Sequence, residues 1–63
     1  MTVDRVRDIR AWASVLVGAC EDYAATPTPF GNLMIHGAMR NLAIVMDTAL
    51  TEELSPSEKE AVQ

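Results

Sequence analysis

Residues 11–20 read AWASVLVGAC, from Ala11 to Cys20, ten consecutive positions without a charge. Charges crowd both flanks, with Asp4, Arg5, Arg7, Asp8 and Arg10 before the stretch and Glu21 and Asp22 after it. A helix lying on one neighbour needs only one apolar stripe, whereas a helix that is apolar around its middle has to be covered on more than one side. This stretch therefore decides the fold class: all-α, with helices whose apolar surface exceeds what one neighbour hides.

Outward from it towards the N-terminus, Thr2 is placed to cap a helix, and Asp4 in the first turn suits the helix dipole. Val6, Ile9, Ala13, Leu16, Cys20 and Tyr23 recur at spacings of three and four, which puts them on one helical face. The expectation is a first helix over about residues 3–25 with this set as its core stripe and Cys20 as a small buried hydrophobe. A second stripe of Trp12, Val15 and Ala19 runs beside the first and points to a second packing partner.

Downstream, Thr26-Pro27-Thr28-Pro29 breaks the helix. Each proline disfavours the helical conformation of the residue before it, and each Thr-Pro pair suits a cap followed by a first helical position. A turn over 26–29 capped by Thr28 makes the next helix an antiparallel neighbour. That helix is expected over about 29–54. Ile35, Ala38, Leu42, Val45 and Ala49 form one stripe, and Leu33, Met34, Met39, Met46 and Leu50 broaden it. His36, Arg40, Asp47 and Thr51 form a narrow polar face. Ser55-Pro56-Ser57-Glu58 has the form of a capping box, so a separate short helix or tail is expected over 55–63. An antiparallel alignment of residues whose numbers sum to about 54 or 55 sets Gly18 against His36 or Gly37, as for a tight crossing, and Arg7 against Asp47.

A chain of 63 residues holds one small domain, residues 1–63 here, and domains this short lean on disulfides, metals or partner subunits. One Cys and one His make neither an internal disulfide nor a closed zinc site, which leaves oligomerisation. The expected architecture is an antiparallel two-helix hairpin assembling as a homo-oligomeric bundle of the four-helix type, a homodimer in its simplest form. Trp12, Val15, Leu16, Ala19, Met39, Leu42 and Met46 are the expected oligomer interface. The methionines add an adaptable surface suited to accepting another helix.

Five basic residues against nine acidic ones leave a net charge of −4. That opposes general binding to nucleic acid and to anionic membrane surfaces. No apolar run reaches the roughly 18 to 20 residues of a membrane span, and MTVDRVRD lacks the apolar core of a signal peptide, so a cytoplasmic protein is expected.

No phosphate loop, nucleophile elbow, zinc pattern or kinase motif is present. His36 has no nucleophile or carboxylate at helical spacing, and no base adjoins Cys20. Glu21-Asp22 and Glu52-Glu53 lack the Glu-x-x-His spacing of di-iron bundles. The sequence thus points to a non-enzymatic protein with no cofactor and no metal. In format alone, a small acidic helical hairpin that oligomerises, the chain resembles small regulators and inhibitors carried by phages and plasmids; the likeness carries no residue. It implies binding and regulation of a partner protein. The alternative is an oligomer that sequesters a small anionic ligand such as a nucleotide between subunits through Arg5, Arg7, Arg10, His36 or Arg40. A structural subunit of a larger assembly is a third reading.

Overall fold

The computed structural model describes the backbone of residues 1–62 and the side chains of residues 1–54. The described residues form two helices, α1 (Val3–Ala25) and α2 (Pro29–Val62), packed side by side, with no strand. Both begin as their sequences dictate. The Thr2 hydroxyl accepts from the Arg5 backbone N–H at 3.2 Å, and the Thr28 hydroxyl accepts from that of Gly31 at 2.9 Å. Each satisfies a donor that the first helical turn leaves without a partner. Helix α1 ends at the Pro-rich corner, where the Thr26 N–H donates to the Asp22 carbonyl at 2.9 Å.

Helix α2 does not stop before Ser55. It runs through Ser55-Pro56 to Val62 as one 34-residue element, so the separate helix expected over 55–63 is instead a continuation. Proline biases the residue before it away from the helix but does not forbid it, and proline-containing helices are the exception to that rule. The capping box of Ser55 and Glu58 lies outside the described side chains.

The line along which α1 meets α2 differs from the stripe expected for α1. Its less exposed positions are Arg5, Ile9, Trp12, Ala13, Leu16, Gly18, Ala19 and Tyr23. Val6 is 50% exposed and Cys20 is exposed, so neither is the core residue the first stripe made it. Helix α1 is rotated so that Trp12 and Ala19 turn towards α2. Three contacts hold that rotation: the Arg5 guanidinium on Glu52 at 2.8 Å, the Met1 ammonium on Glu53, and Tyr23 against Gly31. At the last, a Cβ on Gly31 would lie 3.3 Å from Tyr23 Cδ2. On α2 the expected stripe is the one used: Ile35, Ala38, Leu42, Val45 and Ala49 are all half-buried or buried, joined by Gly31 and Asn41.

Two sequence expectations about the crossing fail. A Cβ built on Gly18 or Gly37 meets nothing within 4 Å, so these glycines are not a tight contact. The closest packing falls on Ala38 and Ala49, which are 3% and 1% exposed and are the buried residues of the described chain. Arg7 does not reach Asp47 either; it pairs with Asp4 at 3.8 Å. Arg7 lies two positions beyond Arg5, and two residues turn a helix by about 200°, which carries Arg7 to the side away from α2.

A core of two alanines is small, since each buried methyl(ene) contributes about 0.8 kcal/mol. The Cα atoms span 55 × 19 × 11 Å: a plate one helix thick. Stable domains generally need two packed layers.

Candidate interaction surfaces

A plate of two antiparallel helices has two broad faces, and the helical period assigns side chains to each. One face is grooved. Near the turn, a groove of about 460 Å³ lies between the helices, lined by Val15, Ala19, Tyr23, Phe30 and Met34, with Asp22 as its charged member. It adjoins a second groove of about 540 Å³ lined by Trp12, Val15, Met34, Gly37 and Asn41, with His36 and Arg40 contributing from α2. Gly18 lines the first and Gly37 the second. Because nothing occupies the space where their side chains would stand, the two glycines open the grooves.

On α1 this face is bordered by acids. Asp4, Asp8 and Asp22 recur on it by the helical period, and Glu52 closes the end away from the turn. Arg5 is the cation among them, held by a two-pronged bond: Nε donates to Glu52 Oε1 at 2.8 Å and Nη2 to Oε2 at 2.9 Å. Its Nη1 also donates to Asp8 at 3.3 Å. The hydrogen bond to Glu52 raises the guanidinium pKa above its ordinary value, and the same bond holds the Glu52 carboxyl below the usual carboxylate range.

The opposite face is uncharged in its half near the turn, and the helical period places one charge from each helix, Arg10 and Glu53, in the half away from it. Val6, Ala13, Val17, Cys20 and Ala24 of α1 share it with Met39, Ala43, Met46 and Leu50 of α2. Val17 is 56%, Met39 53% and Leu50 60% exposed. Side chains of this kind in contiguous patches are rarely left open by soluble monomers.

The residues singled out from sequence are spread over both faces. Of the expected oligomer contacts, Trp12, Leu16, Ala19 and Leu42 are half-buried between the two helices; Val15, Met39 and Met46 are exposed, the first on the grooved face and the others on the opposite one. The five basic candidates do not converge. Arg5 is committed to Glu52 and Asp8, Arg7 points outward with Asp4, and Arg10 stands on the mainly apolar face, towards the outer edge of α1. His36 and Arg40 alone share a groove, on the opposite edge.

Sequence reasoning missed Phe30, Tyr23 and Asp22 as groove residues, and Val17 as a centre of the mainly apolar face. Phe30, directly after Pro29, is 71% exposed; an aromatic in the first helical turn beside a proline corner was the available signal. Among the described residues no group of three or more His, Cys, Asp and Glu side chains is placed to hold a metal ion, and no helix is long and apolar enough to cross a membrane. No known family model, curated protein or solved structure matches the chain.

Proposed function

We propose that the chain is a non-enzymatic interaction protein: a helical hairpin that assembles with copies of itself and binds and regulates a partner protein through its grooved face. The observation that carries this reading is the pair of adjoining open grooves with Trp12, Met34 and Phe30 at their walls. The apolar side chains are gathered on broad faces while the chemically reactive ones, His36 and Cys20, stand on different helices and face apart. Apolar grooves between helices accept an amphipathic helix, its anchors spaced three and four residues apart. The border of Asp4, Asp8, Asp22 and Glu52 selects a helix with basic flanks, by charge complementarity that steers encounter and rejects acidic segments.

Trp12 is the chain's single tryptophan and lines a groove, so its emission reports occupancy directly. Titration with a Leu/Lys amphipathic helical peptide is expected to shift that emission saturably, more strongly at low salt, while a Leu/Glu peptide of the same pattern leaves it unchanged. Equal responses to both peptides, or a response to neither, overturns the reading.

One observation favours the small-anion alternative: His36 and Arg40 share the Trp12 groove, an arrangement suited to stacking a base and pairing a phosphate. A nucleotide bound there at a hundredfold its Kd raises stability by about 2.7 kcal/mol, which a thermal-shift series with ATP, GTP and inorganic phosphate measures.

A further inference from the structure

We infer that the face centred on Val17 and Met39 is the self-association surface, so that two hairpins stack through it into a four-helix bundle and leave the grooved face outward. This rests on the homo-oligomeric reading above and names which face serves it.

The argument begins with area. The hairpin exposes 5027 Å², about 1000 Å² more than the roughly 4000 Å² exposed by a compact monomer of this mass. A stable interface takes about 800 Å² from each partner, so one face covered by one copy accounts for most of the excess. Thickness agrees: a second plate laid on one 11 Å thick makes the two layers a packed core requires.

The choice between faces follows from charge and shape. The grooved face carries Asp4, Asp8, Asp22 and Glu52. Stacked on its own copy, it brings like charges together in low dielectric, which opposes association. The other face carries one charge of each sign, Arg10 and Glu53, outside the Val17–Met39 region, so it has no such excess of like charge. At its centre Val17 and Met39 lie at one level of the antiparallel pair, both exposed, so apolar surface meets apolar surface there. A surface with so few charges has little with which to select a foreign partner, since charge and polar pairing supply much of specificity, but a two-fold copy presents the same apolar patch by symmetry.

Cys20 supplies a probe that needs no substitution. Its thiol is exposed on the single hairpin and lies on the face of Val17 and Met39, so the bundle covers it. Sedimentation equilibrium of the full chain is expected to give twice the 6.9 kDa chain mass at micromolar concentration. Alkylation of Cys20 by iodoacetamide is expected to slow about fivefold at a chain concentration about ten times the dimer Kd, where about one chain in five is monomeric, and to recover on dilution. The double substitution Val17→Glu with Met39→Glu is expected to abolish the dimer, while Val15→Glu on the grooved face preserves it. If the double variant loses its helix, wild-type Cys20 protection decides. A dimer in which Cys20 reacts as fast as at dilution, or one broken by V15E and not by V17E/M39E, overturns the assigned face. A folded helical monomer at every concentration overturns the homo-oligomeric reading itself.

Discussion

Arg5 and Glu52 show how one pair sets the rotation of a helix. Both groups keep contact with water, so the bond adds little stability; its two-pronged geometry fixes register instead. The pH consequence follows from the direction of each shift. Glu52 titrates lower in the fold than in the open chain, so its contribution is complete above the ordinary carboxylate range and is lost as pH falls through the folded value. Arg5 titrates higher, so its contribution is lost only as pH rises through a value above the working range. Melting of Glu52→Gln is therefore expected to be lower than wild type near neutrality and to converge with it in acid, read by circular dichroism across the carboxylate range. The glycines make a second residue-scale contrast. Gly37 meets open space, so Gly37→Ala is expected to stabilise the helix by about 1 kcal/mol. Gly31→Ala is expected to gain nothing, because the new methyl lies 3.0 Å from the Thr28 hydroxyl that caps α2. Paired thermal melts of the two variants check this.

At the scale of the element, each helix carries more apolar surface than its neighbour accepts. Helix α1 therefore has two stripes with a comparable claim on α2. Val6, Ile9, Ala13, Leu16, Cys20 and Tyr23 were legible as one stripe from spacing alone, and Trp12, Val15 and Ala19 as another; the contact takes Ile9, Ala13, Leu16 and Tyr23 from the first and Trp12 and Ala19 from the second, a division that spacing does not give. Trp12 has the larger apolar area to hide, and the contacts of Arg5 with Glu52 and of Tyr23 with Gly31 lock α1 in the rotation that hides it. The starts of both helices and the end of α1 were legible, because caps are local chemistry: Thr2, Thr28 and the proline corner lie where residue preferences place them. Thr28→Ala removes the cap bond to Gly31 and is expected to cost about 1 kcal/mol, lowering the melting temperature by about 4–8 °C for a domain of this size. The passage of α2 through Pro56 was not legible, because the pre-proline preference is a bias that the continuing helix overrides.

The whole molecule is a thin plate with an apolar surface on either side, and its stability depends on what lies against them. If copies of the chain cover one side, folding and association are one equilibrium, and the melting temperature rises with protein concentration. Melts across a hundredfold concentration range, about 2.7 kcal/mol in association free energy, are expected to show that rise for wild type and for V15E, and to lose it in V17E/M39E. The faces themselves follow from placing both helices together. Phe30, Val17 and Leu50 are ordinary apolar residues in a helical pattern; their exposure appears only once α2 is laid beside α1.

The order of residues alone determined that this chain makes two antiparallel helices, where they begin, and which stripe of α2 turns inward, because capping, proline geometry and the 3.6-residue period act over a few positions. The rotation of α1, the use of alanines and not glycines at the closest approach, the pairing of Arg5 in place of Arg7, and the division into a grooved, acid-bordered face and a mainly apolar one were decided by tertiary structure. Each depends on which of several equivalent surfaces meets a distant one, and contacts across that distance, between residues far apart in the chain, carry no local signature.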